Sequence, residues 1–209
     1  MIGALARLLG RGSREDAAHP RAVRWVVLDC ESSGLDPERD RLLSLGAVAV
    51  REGRIDHADS FGAVLRQAEA SAPQNILVHG IGGDAQRAGR DPAEALEAFA
   101  RYAGESPAVA FHAAFDRALL RRAIPSWKAR WLDLAQLAPA LLPARAKSCR
   151  SLDDWLAAFG IEVAGRHDAL ADAYATAQLL LVLLAEAERQ GIGEARGLYA
   201  AERGRRWLG

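Results

Sequence analysis

The sequence contains little cysteine and little lysine. Its two cysteines, Cys30 and Cys149, are far apart and form no CxxC pair. This excludes a disulfide framework, and a reduced, cytoplasmic setting is the expectation. The basic residues are arginines except for Lys128 and Lys147, and the formal net charge is zero. A zero sum does not decide for or against nucleic-acid binding, because binding depends on local fields.

Long apolar runs are also missing. No run approaches the roughly 18 to 20 residues that span a bilayer, so no membrane association is expected. Half of the 209 residues are apolar, which is enough for one sizeable core and too little for two. We therefore predict one domain over residues 23–188. Residues 1–22 are predicted to be a leader that is poorly ordered or a short helix, and residues 189–209 a short C-terminal extension.

The first half of this domain predicts three strands. The segment from Trp25 to Leu28 is a short apolar run, typical of a strand covered on both faces. A turn follows at residues 33–37, and residues 42–50 predict the second strand. Glu52-Gly53 then predicts a hairpin turn into a third strand over residues 54–65.

The second half alternates strand and helix. Asp91-Pro92 predicts the start of a helix to about Tyr102, and a short strand at 108–111 precedes a helix at 115–122. The segment from Ser151 to Asp154 resembles a capping box, opening a helix that ends near Gly160. A last long helix is predicted from apolar residues at helical spacing that should face the core, namely Leu170, Ala173, Tyr174, Ala177, Leu181 and Leu184. This order of elements predicts an α/β fold with a mixed β-sheet flanked by α-helices.

Two acids stand at the end of the first predicted strand. Asp29 and Glu31 are two residues apart, so both side chains project from the same face of the strand. Two carboxylates placed so closely repel each other unless a cation lies between them. Their oxygen atoms suit a hard cation such as Mg²⁺. A DxE pair alone is more often two solvated acids, so this motif needs support from elsewhere.

Two further motifs place an acid at the start of a helix. HAAFD, from His112 to Asp116, follows the predicted short strand, and HDALAD, from His167 to Asp172, opens the last helix. Asp168 is predicted to cap that helix, which leaves Asp172 just past the first turn and His167 in the preceding loop. Histidine suits general-base catalysis there, because its ordinary pKa lies near neutrality.

Together the three motifs resemble those of the DEDDh exonucleases. Their order is DxE at a strand end, HxxFD after a later strand, and HxAxxD at the start of a late helix. This DnaQ-like superfamily includes the proofreading epsilon subunit of bacterial DNA polymerase III, ribonuclease T and oligoribonuclease. Residues 31–35 also resemble its ETTGL turn, residues 75–81 its HGI segment, and residues 151–161 the stretch before its third motif. The resemblance covers about residues 23–188 and implies a ribonuclease-H-like fold.

The resemblance implies a metal-dependent 3′→5′ exonuclease that releases nucleoside 5′-monophosphates. Two divalent cations, Mg²⁺ or Mn²⁺, would be held by the acids of the three motifs, which are Asp29, Glu31, Asp116 and Asp172. His167 would deprotonate the attacking water. The chemistry agrees, because two metals about 3.5–4 Å apart can stabilise both the attacking and the leaving oxygen of a phosphodiester.

The resemblance also implies the substrate contacts. They are carried by the turn and by the second motif, at Ser32, Ser33, Gly34, Leu35, His112 and Phe115. Leu35 would pack against the terminal base, and backbone groups of residues 32–35 would hold the terminal sugar. Many members have Thr-Thr where this chain has Ser32-Ser33, and Asn where it has His112. The five presumed catalytic positions are unaltered, so activity is expected.

The expected partner is the single-stranded 3′ end of a nucleic acid, with DNA favoured over RNA. Residues 117–150 contain eight basic residues and one acid, Asp133, and are a candidate for contact with phosphates. Trp127 and Trp131 lie within them and are candidates for base stacking, although such aromatics are more often packing groups. None of these features distinguishes the two sugars, so an exoribonuclease is an alternative. The epsilon resemblance implies association with a DNA polymerase, but the stretch after Gln190 is short for a polymerase-binding tail, which favours a stand-alone or accessory enzyme.

Two other functions are less favoured. A non-catalytic nucleic-acid-binding module would not need the intact acids. The His167-Asp168 pair suggests an HD-type phosphohydrolase, but that class needs further His and Asp ligands from other helices, and His57, His79 and His112 stand in unrelated contexts.

Overall fold

A mixed five-stranded β-sheet forms the centre of the protein. The computed structural model describes residues 15–163, 165 and 167–206. The strands are β1 (Trp25–Ser32), β2 (Leu42–Arg51), β3 (Arg54–Val64), β4 (Ala108–Ala110) and β5 (Trp131–Asp133). They lie in the order β3-β2-β1-β4-β5. The hairpins join β1, β2 and β3 antiparallel, whereas β4 runs parallel to β1 and β5 parallel to β4.

Helices cover both faces of this sheet. They are α1 (Pro73–His79), α2 (Gly83–Ala88), α3 (Pro92–Ala103), α4 (Ala114–Ala123), α5 (Leu134–Leu141), α6 (Leu152–Ala158), α7 (Ala169–Arg189) and α8 (Ala195–Arg206). Short 3₁₀ turns occupy Pro20–Ala22 and Arg145–Lys147. A mixed sheet with flanking helices confirms the predicted fold class.

The predicted helix starts are confirmed by their caps. The Asp91 carboxylate accepts hydrogen bonds from the amides of Ala93 and Glu94, with Pro92 in the first turn of α3. Ser151 and Asp154 form a complete capping box on α6. Because these caps satisfy amides that have no partner within the helix, they fix where each helix begins.

Two apolar clusters lie on opposite sides of the sheet. Side chains alternate along β1, so Trp25 and Val27 enter one cluster whereas Val26 and Leu28 enter the other. The first cluster contains residues of α5, α6, α7 and α8, and the second contains residues of α3 and α4. Since both faces are covered, β1 and β2 are apolar along most of their length.

The prediction for the last long helix was incomplete. Ala173, Ala177 and Leu184 are buried as expected, and the half-buried Tyr174 and Leu181 pack against the first cluster. Leu170 is half-buried, and the leucines at 179, 180 and 183 are fully buried as well. The reason is that α7 packs on β1 and β2 on one side and on α5 and α6 on the other. A helix covered on several sides does not show a single apolar stripe.

This burial also bears on the membrane expectation. Among the described residues, α7 is the one helix long and apolar enough to cross a bilayer, with a mean hydropathy of 1.4 over its best window. The expectation that no apolar run approaches that length was therefore wrong for Ala169–Arg189. More than half of that window, 56%, is buried inside the protein, as is typical of a core helix.

The structure describes less of the predicted leader than of the predicted C-terminal extension. Much of the expected leader, residues 1–14, lies outside the described residues, as do residues 207–209. Helix α8 packs against α5 and β5 and buries Ala195, Leu198 and Tyr199 in the first cluster. The predicted C-terminal extension thus contains a helix that contributes to the core.

Candidate active site

Strand β1 directs two acids to the side of the sheet covered by α7. Asp29 and Glu31 continue the alternation of Trp25 and Val27, and both are half-buried. Cys30, between them, is buried in the cluster on the other side. The geometry expected of the DxE pair is therefore present, with both carboxylates on one face of the strand end.

A glycine on β2 brings α7 down onto this strand pair. Gly46 pairs with Asp29 across the sheet. A Cβ atom at position 46 would lie 2.2 Å from the backbone nitrogen of Leu170 and 2.3 Å from the carbonyl carbon of Ala169. Such distances do not occur between non-bonded atoms, so the first turn of α7 lies where a side chain at position 46 would otherwise stand. The approach of α7 to Asp29 depends on that missing side chain.

The start of α7 carries the third motif. The Asp168 carboxylate accepts hydrogen bonds from the amides of Leu170 at 3.1 Å and Ala171 at 2.9 Å, so Asp168 is the predicted cap. Asp172 follows one turn later and is 5% exposed. Its Oδ2 accepts a hydrogen bond from the backbone amide of His167 at 3.1 Å. This bond fixes the loop residue next to the acid.

Glu31, His167 and Asp172 converge. One ligand atom from each of them lies within 4.8 Å of the other two. Two carboxylate oxygens and one imidazole nitrogen are donors that divalent cations accept. The donor set therefore fits a divalent metal ion, and it is formed by residues that sequence analysis had assigned to two separate motifs.

Asp116 reaches the same end of the sheet from the opposite layer. It lies in the first turn of α4 and is 4% exposed. Burial, together with the charge of Asp29, raises the pKa of Asp116 well above its ordinary value. The same burial, with the nearby Asp116 and Asp29 charges, raises the pKa of the Cys30 thiol. A buried carboxylate beside a second, half-buried one is costly unless a cation offsets their charge, so Asp29 and Asp116 also fit a metal-holding role.

The loop before Asp116 is held by an acid that sequence analysis did not assign to the site. The Oδ1 atom of Asp133 accepts the amide of His112 at 3.0 Å and the amide of Ala135 at 2.9 Å. His112 has a φ of 63°, in the left-handed region. Asparagine adopts that region readily, which gives a backbone reason for the Asn that many DEDDh members carry here. Asp133 as the N-cap of α5 was a signal available in the sequence.

The turn after β1 is built around Asp40. The Ser33 hydroxyl donates to Oδ1 of Asp40 at 3.1 Å and accepts the amide of Arg41 at 2.9 Å. Ser32 donates to the carbonyl of Gly34 at 2.5 Å. A Cβ atom at Gly34 would collide with the Asp40 carboxylate. The two hydroxyls thus shape the turn, and Leu35 within it is 94% exposed.

The HGI segment lies against this turn. Asn75 on α1 donates a hydrogen bond to the carbonyl oxygen of Ser33. His79 is 4% exposed and is held at 3.1 Å from Ser71 Oγ, while its Nδ1 accepts the amide of Ile81 at 3.0 Å. Burial lowers the pKa of His79, which disfavours the charged form of the ring in this network. Sequence analysis named the segment but none of these contacts.

The structure thus places all five predicted catalytic residues at one end of the sheet. Phe115 of the predicted substrate set is half-buried against the second cluster, and His112 is exposed. The roles assigned to these residues and to the turn remain predictions, since the geometry shows proximity and not chemistry.

Comparison with known proteins decides the family. The exonuclease family model of the ribonuclease T type matches residues 26–180, a span that contains all five residues. The chain belongs to this exonuclease family. The resemblance to DEDDh exonucleases is confirmed, and the protein is an exonuclease of a metal-dependent family.

The chain matches small parts of two longer curated relatives. The PolC-type DNA polymerase III of Thermotoga petrophila is 31% identical over 173 residues, which is 80% of this chain and 12% of the relative. A DNA polymerase III subunit epsilon-like protein of Rhodobacter capsulatus is 30% identical over 193 residues, 88% of this chain and 27% of the relative. This exonuclease therefore spans between about an eighth and a quarter of the length of these relatives.

Solved structures share its fold. E. coli exonuclease I in complex with a dT13 oligonucleotide has a TM-score of 0.70 at 19% identity, covering 80% of this chain and 42% of that one. The zinc-bound form of the same enzyme with single-stranded DNA has a TM-score of 0.68 at 21% identity, covering 81% and 41%. These likenesses confirm the ribonuclease-H-like fold of the exonuclease.

Proposed function

We propose that this exonuclease removes nucleotides one at a time from the 3′ end of single-stranded DNA and releases nucleoside 5′-monophosphates. The observation that carries the proposal is the convergence of four acids from β1, α4 and α7 with His167 from the loop before α7. The names of the relatives, which are DNA polymerase III components, favour DNA as substrate and a DNA polymerase as a partner. A cytoplasmic location, expected from the two cysteines, is part of the same proposal.

The four acids are proposed to hold two divalent cations, Mg²⁺ or Mn²⁺. Asp29 and Asp116 form one pair of neighbouring carboxylates, while Glu31 and Asp172 form another beside His167. When bound, two such ions offset negative charge on the attacking and leaving oxygens. The charges of the acids in turn require cations, because burial next to Asp29 already disfavours the ionised form of Asp116.

His167 is proposed to accept the proton of the attacking water. Its exposed ring stands beside Glu31 and Asp172, so a water molecule can reach it from the substrate side. The hydrogen bond from its amide to Asp172 keeps the residue in place at a φ of 66°. A left-handed φ at a residue other than glycine is strained, and such strain is often found at functional sites.

Exposed apolar side chains are proposed to contact the terminal base. Leu35 is 94% exposed, and Leu77 and Val78 on α1 are 86% and 58% exposed. The bond between Asn75 and Ser33 brings α1 next to the turn that carries Leu35. Exposed large apolar groups grouped together are typical of a binding surface. They would fix the end of the strand relative to the acids.

The proposal is tested by digestion of 5′-labelled single-stranded DNA and RNA of one sequence with Mg²⁺, Mn²⁺ or EDTA. The expected product is a metal-dependent ladder that shortens from the 3′ end, faster on DNA, and is absent with Asp29→Ala. A circular single strand of the same sequence should resist digestion, since it has no end. Immediate release of labelled mononucleotide would instead indicate a 5′→3′ enzyme, and preference for RNA would move the assignment to an exoribonuclease.

Replacement of His167 separates a general base from a metal ligand. We expect His167→Ala to lower kcat by about 10²- to 10⁴-fold, while Mn²⁺ and strand affinities stay close to those of the wild type. Single-turnover rates and Mn²⁺ titration by calorimetry measure the two properties independently. Loss of Mn²⁺ binding in the variant would contradict the general-base role and would make His167 a ligand.

A further inference from the structure

A basic groove lies beside α4. We call it the α4 groove and define it by Arg117, Arg121, Trp127, Lys128 and Trp131, with buried Leu120 at its floor. Its cavity volume is about 130 Å³. No residue of the proposed catalytic set lines it. It is therefore a separate feature of the surface.

The charged side chains that line the groove are all positive. Three cationic side chains and no carboxylate line it. Arg121 is partly offset by Glu38, whose Oε1 lies 2.9 Å from the guanidinium. Arg117 and Lys128 have no ion pair with any residue in the described part of the chain, and both are exposed. Cations left without acidic partners on a neutral protein suit the phosphates of a nucleic acid strand.

The indole rings of Trp127 and Trp131 are held in place by ring packing and a hydrogen bond. The Trp127 ring packs edge-to-face on Phe99 at 5.1 Å and on Trp131 at 5.9 Å between ring centroids. Its Nε1 donates to the carbonyl of Gly104 at 3.1 Å. Both rings are nevertheless only half-buried, and they border the groove. Rigid aromatic surface next to cations is the usual combination in sequence-independent binding of single strands.

One sequence neighbour and one ion pair connect the groove to the active site. Arg117 directly follows Asp116 in the first turn of α4. Arg121 lies one turn later, about 6 Å along the helix axis, and pairs with Glu38 in the loop that carries Leu35. A strand whose last nucleotide lies between Leu35 and the acids therefore has this groove within reach of its preceding nucleotides.

We propose that the α4 groove binds the nucleic acid strand behind its terminal nucleotide. Phosphates lie on Arg117 and Lys128, and a base stacks against the indoles of Trp127 and Trp131. This inference rests on the proposed exonuclease function and adds a second binding region to it. Its consequence is that a strand long enough to reach the groove binds more tightly than a dinucleotide, while the rate of bond cleavage is the same for both.

Lys128→Ala tests the groove because the side chain is exposed and belongs to neither the acids nor their loops. For a 5′-labelled 12-mer we expect KM to rise several-fold with kcat unchanged, and both parameters for a dinucleotide to stay at wild-type values. The slope of log affinity against log salt should become shallower by about 0.7, the share of one phosphate contact on a single strand. The loss should be equal for DNA and RNA 12-mers. The matched control is Arg189→Ala, an arginine that is 72% exposed at the far end of α7.

Trp131→Leu tests the stacking surface. We expect a loss of about tenfold in 12-mer affinity, with partial recovery in Trp131→Phe.

An unchanged KM and salt slope in Lys128→Ala would overturn the groove, as would an equal rise in KM for the dinucleotide. Fluorescence anisotropy of a labelled 12-mer in EDTA measures binding without hydrolysis. It therefore tests the groove even if the wild type cleaves neither substrate, which is the result that would sink the proposed function instead.

Discussion

Replacing Asp116 by asparagine is expected to abolish hydrolysis without lowering stability. The variant removes one of the four charges proposed to hold the cations, and losing several kcal/mol of charge stabilisation lowers the rate by about 10³-fold or more. The fold should not suffer, because burial and the charge of Asp29 already disfavour the ionised form of Asp116. Asparagine keeps the shape and an oxygen acceptor while removing the repulsion.

Turnover of a labelled strand and thermal unfolding with and without Mn²⁺ measure both parts of this expectation. Added Mn²⁺ should raise the Tm of the wild type, since a ligand that binds only the folded state stabilises it, and should raise that of Asp116→Asn much less. Asp168→Asn is the matched control: this acid lies near the site but caps α7, and asparagine caps as well as aspartate. Near-normal turnover in Asp116→Asn would remove the metal-holding role of that acid.

Adding a single methyl group at Gly46 is expected to disrupt the active site by displacing α7. The new Cβ would lie 2.2 Å from a backbone atom of α7, which cannot rotate away as a side chain can. We expect Gly46→Ala to destabilise the protein by about 3 kcal/mol or more, equivalent to a fall in Tm of about 6 to 12 °C. The rate of hydrolysis should fall by more than the loss of folded protein explains, because the displaced helix carries Asp172 and follows His167.

Gly62→Ala provides a close comparison for this variant. Gly62 pairs with Gly46 across the sheet, yet its added Cβ would meet only the end of the Leu170 side chain at 3.4 Å. Its Tm and rate should stay near those of the wild type. If Gly46→Ala unfolds at the same temperature as Gly62→Ala and cleaves equally fast, α7 does not lie on β2 as described.

Local patterns were sufficient to predict most of the sheet and the caps. β1 and β2 have apolar runs, the Glu52-Gly53 turn marks the start of β3, and the helix starts at Asp91, Ser151 and Asp168 have side chains that bond their own helix. The three-residue strand β5 is too short to show a period, and α5 is apolar nearly all round with Pro139 inside it. These elements are defined mainly by packing on neighbours that are distant in sequence, and the Asp133 cap of α5 is the local signal that they offer.

The same distinction holds for the site. Its acids were predictable because each follows a strand or opens a helix with its own signal. The contribution of Gly46 was not, because its reason is the approach of Ala169 and Leu170, more than a hundred residues later. Asp133 and Asn75 likewise support the loops at His112 and Ser33 through contacts between distant segments. Long-range contacts of this kind leave no pattern in the local sequence.

The position of Asp172 on the last long core helix has a consequence for protein synthesis. β1 leaves the ribosome before the other strands, whereas His167 and α7 emerge only after the whole sheet. The cluster of Glu31, His167 and Asp172 therefore cannot form until the start of α7 has emerged, and a product that ends before His167 lacks two of its three donors.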